Sequence, residues 1–158
     1  MIYSKLIIIA LNFFDFFQQK KILKLVNSKF SKPIVVFDIG AHYGETIKLF
    51  TKKLRIEKIF SFEASPKNYQ ILEKKISNYD PNKVKIFNYG IGEKISDGFI
   101  NQTLESSSST INEINLKSKY LKRKLKILNI DKKDSFQSKV PIKILSLDYF
   151  IERNNIKN

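Results

Sequence analysis

The chain has 158 residues, enough for one domain with a real core, and 42% of them are hydrophobic. It has no cysteine and one histidine, His42, which excludes a disulfide framework, a Cys-ligated zinc or iron–sulfur site, and a multi-histidine metal site within one chain. The formal charge of +14 attracts polyanions. Its source is almost entirely lysine spread along the sequence, with only Arg55, Arg123 and Arg153, which points to a solvated surface rather than a specific nucleic-acid site.

The N-terminal segment predicts a helix over 4–29, with apolar positions at Leu6, Ile9, Phe13, Phe17, Leu23 and Val26. Its run LIIIALNFFDFF, residues 6–17, is too short to span a bilayer and is interrupted by Asp15. No small-residue cleavage site follows, which argues against a signal peptide. Two readings stay open. The helix packs on the domain, or it lies on a membrane surface with Lys20, Lys21 and Lys24 toward lipid headgroups. Either fits a cytoplasmic protein, with peripheral membrane association in the second case. Ser31-Lys32-Pro33 ends the segment, so the division expected is 1–32 for the helical part and 33–158 for the main domain.

Ile34 to Phe37 is a short continuous apolar run, as expected for a strand buried on both faces. A helical pattern follows over 44–54, then a second strand over 57–62. Ser65 and Pro66 form a helix start, cap followed by N1 proline, and lead into a helix over 66–78. Asp80-Pro81-Asn82 is a turn, and 84–89 is a third strand. The alternation predicts an α/β fold with a parallel, doubly wound sheet. Beyond Gly92 the pattern loosens. A strand is expected over 98–103, a polar serine loop over 105–110, a lysine-rich helix over 112–128, and a strand over 139–145. Ser146 then caps a last helix, LDYFIER.

The chemistry concentrates at two strand ends. Asp38 closes the first strand, and Gly40 and Gly44 follow; Gly40 allows close approach of a ligand to the backbone, and Gly44 lets the next helix start tight against sheet and ligand. This is not the G-x-G-x-x-G dinucleotide pattern, because Asp38 occupies the first glycine position and would repel a pyrophosphate. An acid there suits a ligand with an ammonium group, such as the methionine end of S-adenosylmethionine. Glu63, at the end of the second strand, suits ribose hydroxyls. Capping or solvated roles for both acids are the plain alternatives. His42 reads as a loop residue reaching the pocket through its backbone, since the sequence places no paired acid beside it.

The blocks VVFDIGAHYGET (35–46), FSFEASP (60–66), FNYGIG (87–92), SSSST (106–110) and VPIKILSLDYF (140–150) together resemble the FkbM-type methyltransferases over residues 33–158. The resemblance implies a Rossmann-like class I methyltransferase fold and S-adenosylmethionine as cofactor. It implies the methionine part on Asp38, Gly40, Ala41, His42 and Gly44, the ribose on Glu63, and the adenine near Tyr89, Gly90 and Ile91. Transfer to a hydroxyl oxygen of a sugar, glycan or related metabolite is the implied reaction; no residue is named as its base. His42 replaces the more usual Asn, and Tyr89-Gly90 a smaller pair. The family's next strand, of the form K-I-D-x-E-G, does not follow, so a fold incomplete at the C-terminus is expected, inactive by itself. A non-catalytic remnant that only binds the cofactor is the alternative, and a basic nucleic-acid-binding protein is a third reading.

Overall fold

The structure is a computed structural model and describes residues 17–103, 109–113, 115, 117–128 and 136–156. Residues 17–29 form the helix α1. There follow β1 (Ile34–Ile39), α2 (Glu45–Lys53), β2 (Ile56–Phe62), α3 (Pro66–Ile76), β3 (Val84–Phe87), β4 (Gly90–Gly92), β5 (Ser96–Thr103), α4 (Lys119–Leu128), β6 (Phe136–Ser146) and α5 (Leu147–Arg153). The fold is mixed α/β. β1, β2 and β3 form a parallel sheet in that order, and a second sheet has the order β4-β6-β5, with β4 parallel and β5 antiparallel to β6. Among the described residues β1 has a strand on one side only.

The period of two along each strand sorts the first sheet into two faces. Val36, Ile59, Val84 and Ile86 pack with Ile47 of α2 and Leu72 of α3. Val35, Phe37, Phe60, Phe62 and Phe87 face the other way and close around Phe150 of α5. Helices therefore cover both faces, which is why Ile34 to Phe37 of β1 reads as a continuous apolar run.

The early elements match the sequence reading closely, and the later ones differ for local reasons. The third strand stops at Phe87 instead of residue 89, because Asn88 turns its amide to the carbonyls of Glu63 and Ala64 (2.8 and 3.3 Å) and the chain crosses to the second sheet. The helix expected over 112–128 starts only at Lys119. Upstream, Thr110 Oγ1 accepts from Asn112 N and Asn115 Oδ1 from Lys117 N, short-range turns that compete with helix. Ser118 then supplies the cap, its Oγ accepting from Leu121 N. β6 runs longer than expected and contains Pro141, tolerated because that stretch pairs with β5 alone. Residues 4–16 of the expected first helix and residues 105–108 of the serine loop lie outside the described residues. No described helix is long and apolar enough to cross a membrane.

Candidate functional site

The turn after β1 folds over the end of β2. Gly40 N–H and Ala41 N–H both donate to the Phe62 carbonyl (2.8 and 2.9 Å). Gly40 takes φ +85°, and a Cβ built there would meet nothing within 4 Å, so its backbone borders open space. His42 also has positive φ, 49°, unusual for a residue with a side chain. Its N–H donates to Glu63 Oε2 at 2.8 Å.

Glu63 is the hub. It is only 6% exposed, and Oε1 accepts from Ser65 N at 2.9 Å and from Asn68 Nδ2 at 3.5 Å. Its own N–H donates to Phe87 O, and its carbonyl accepts from Asn88. One carboxylate thus joins the loop after β1 to the cap of α3. A carboxylate has about four acceptor positions, so Oε2, with one donor, keeps room for another.

Beside Glu63 lies a cavity of about 320 Å³ at the carboxyl ends of the first sheet. Gly40, His42, Glu63 and Asn68 border one side; Tyr89, Gly90 and Ile91 border another, and residues 109–112 a third. That third side is fastened to β5 by the Asn101–Thr110 bridge and by Asn101 Nδ2 donating to Asn112 O (2.9 Å). Of the eight residues expected at the site, the structure brings Gly40, His42, Glu63, Gly90 and Ile91 to this cavity. It does not bring Asp38, Ala41 or Gly44. Ala41 is buried in the core. Gly44, φ +87°, makes a close approach to Leu72 of α3, where an added Cβ would lie 2.9 Å from Cδ1.

Asp38 sits on the face of β1 that turns toward α2. It is 8% exposed, and Ser61 Oγ, its cross-strand neighbour, donates to Oδ2 at 3.1 Å. Burial pushes its carboxyl above the ordinary value, and hydrogen bonds from Ser61 and Thr46 oppose that only in part. A raised folded-state value means that the unfolded chain ionises first. The contribution to stability is complete below about pH 3.8 and is lost as pH rises through the folded value. Asp38→Asn should therefore be more stable than the parent at pH 7 and gain less at pH 4, measured by urea unfolding at both. Equal or lower stability at pH 7 would show that the charge is well accommodated.

His42 has an acid near it after all. Its Nδ1 lies 3.5 Å from Glu45 Oε2, and its ring stacks on Tyr43 at 3.7 Å. Sequence reasoning missed this pair, three residues apart across the turn before α2, and also Ser61, Asn68 and Asn88. Asn68 had a signal: it stands three residues after the Ser65 cap, where a capping box places Glu or Gln. Here Ser65 Oγ accepts from Asn68 N, while the Asn68 side chain points to Glu63, and its buried Oδ1 has no hydrogen-bond partner. Among the described residues no group of three or more His, Cys, Asp or Glu could hold a metal ion.

No family model matches the chain, and no curated protein matches it. Among solved structures it is similar to the methyltransferase FkbM from Methylobacillus flagellatus KT, with a TM-score of 0.37 and 22% identity over 43% of this chain. The match spans 20% of that protein's length. An overlap of that size bears the weight of neither fold nor function.

Proposed function

We propose that the cavity holds the adenosyl part of S-adenosylmethionine and that the chain serves O-methyl transfer to a hydroxyl of a sugar, glycan or related metabolite. The observation that carries this reading is Glu63: a buried carboxylate at the end of the second parallel strand, bordering the cavity, with acceptor capacity left on Oε2. A ribose hydroxyl is the donor that such a group suits. When bound, the cofactor supplies an activated methyl group on a sulfonium. In this reading Gly40 and His42 border the ligand with backbone, Gly90 and Ile91 wall its base, and Asp38, Ala41 and Gly44 hold the loop from beneath. The three parallel strands then form one half of a doubly wound, Rossmann-like class I sheet, with residues 33–158 as its domain and 1–32 as an addition.

Binding without transfer is the second reading. It is favoured by the lining of the cavity, where the one carboxylate among the described residues, Glu63, is tied to the N–H groups of His42 and Ser65; the His42–Glu45 pair favours transfer instead.

Calorimetry on the full chain should show S-adenosylmethionine and S-adenosylhomocysteine binding. Gly40→Ala puts a methyl group toward the open space, at a φ of +85° that strains any L side chain, and should weaken both by about tenfold in protein whose far-ultraviolet circular dichroism matches the parent. Labelled methyl transfer to hydroxylated glycans separates the two readings. Absence of any adenosyl binding, or binding indifferent to Gly40→Ala, would overturn the assignment.

A further inference from the structure

α1 is held to the domain along one side. Leu23 and Val26 are half-buried, and Asn27 Nδ2 donates to the Lys53 carbonyl at the end of α2 (3.4 Å). Large apolar groups nonetheless stay in solvent: Leu25, turned away from that side, is 58% exposed, and Ile22, one turn before Val26 at the rim of the packed side, is 52% exposed. Lys21, Leu25 and Lys29 follow one another at i, i+4 spacing, and Ile22 stands three residues before Leu25. Ammonium and apolar groups therefore share one strip. Residues 17–29 carry four lysines and no acid. Exposed Lys48 and Lys52 of α2, with Glu45 beside them, border the same surface hollow as Gln19 of α1.

An isolated exposed leucine needs no explanation. Two aliphatic side chains set among lysines on an acid-free helix do, because a merely soluble surface gains nothing from them. A polyanion alone would engage the lysines and leave Ile22 and Leu25 wet. An anionic bilayer uses both: headgroup phosphates attract the ammonium groups, and the acyl boundary takes the aliphatic ones. The sequence just before α1, residues 6–16, is apolar apart from Asn12 and Asp15, which extends the same chemistry along the chain.

We infer that α1 is a membrane-surface helix, seating Ile22 and Leu25 in the headgroup–acyl boundary of a bilayer that contains anionic lipid, with Lys21, Lys24 and Lys29 on lipid phosphates. The inference does not depend on the cofactor reading.

The test is flotation of the full chain with phosphatidylcholine vesicles, with and without about 30% phosphatidylserine, at a salt concentration where bare surface charge is screened within about 8 Å. The parent should float with the anionic vesicles and not with the neutral ones. Ile22→Ser with Leu25→Ser, which leaves charge unchanged, should lower vesicle partitioning about tenfold or more. Lys21→Glu, Lys24→Glu and Lys29→Glu together should abolish it. The same charge change on α4, Lys119→Glu, Arg123→Glu and Lys126→Glu, should lower it by less than about threefold. All five α1 positions are exposed, so both variants keep the fold, checked by far-ultraviolet circular dichroism. The inference falls if the parent ignores anionic vesicles or binds neutral ones equally. It also falls if the serine variant partitions like the parent, or if the α4 variant loses as much as the α1 lysine variant. Binding of oligouridine that is lost in the α1 variants, with no vesicle binding, would make this a nucleic-acid face instead.

Discussion

Phe150→Ala should lower the unfolding free energy by about 3–5 kcal/mol, the usual loss for a buried aromatic ring. Phe150 is 4% exposed, and its ring meets four others: Phe62 and Phe87 at 4.9 Å, Phe60 at 5.4 Å and Phe37 at 6.4 Å. All four contacts are edge-on, the favourable geometry for ring quadrupoles. Those rings come from β1, β2 and β3, so one side chain of α5 gathers the whole lower face of the parallel sheet. Phe150→Leu should restore part of the loss by refilling the space without the edge contacts. Phe99→Ala, at a ring 58% exposed, should stay within about 0.5 kcal/mol of the parent. Urea unfolding followed by circular dichroism compares the three. A loss under 1 kcal/mol in Phe150→Ala would mean that α5 does not pack as described.

Glu63→Ala should cost about 2–5 kcal/mol with no ligand present, because it strands the N–H groups of His42 and Ser65, both otherwise tied to the carboxylate. Glu63→Gln should cost about half as much: the amide keeps one acceptor oxygen and sets its NH₂ against a donor. If Oε2 also receives a ribose hydroxyl, both variants weaken S-adenosylmethionine binding beyond their effect on the loop. Thermal unfolding with and without the cofactor separates the two contributions, since a ligand stabilises only the form that it binds. A variant destabilised by the loop effect alone, with the full ligand-induced rise in melting temperature, would leave Glu63 a structural staple.

The first half of the fold was legible because its signals are local. Ile34 to Phe37, the Ser65-Pro66 start and the Ser146 cap each act within a few residues, and the structure places strands and helices there; Ser65 and Ser146 accept from Asn68 N and Tyr149 N as caps. Their parallel pairing followed from the alternation of elements. The second sheet was not legible in its order, because β4 and β5 are neighbours in sequence yet each pairs with β6. Nothing near Gly90 or Ser96 marks that distant partner. The start of α4 was missed because side chains of Thr110 and Asn115 bond nearby backbone, a competition invisible to apolar periodicity. At the site, spacing gave the strand ends correctly, but which face each side chain takes is set by the packing partner. Asp38 shares the face of Val36 and Ser61, toward α2, and so lies under the cavity rather than in it. Asn68 and Asn88 were missed because their importance comes from where Glu63 happens to stand.

The order of the second sheet also fixes when the cavity can exist during folding. β1 to β3 join through crossovers of ordinary length, whereas Ser96 must find Ile144 across a long stretch of chain. Closing the Thr103–Phe136 end first shortens that search, so β5 and β6 should zip from there toward Ser96 and Ile144. β4 has β6 as its strand partner and cannot be hydrogen-bonded until the zipper reaches Ile144. Gly90 and Ile91 would then be set in place after the parallel sheet is already formed. In pulsed hydrogen exchange the amides of β2 should gain protection first and those of β4 last, making the wall of the cavity the final piece that the chain assembles.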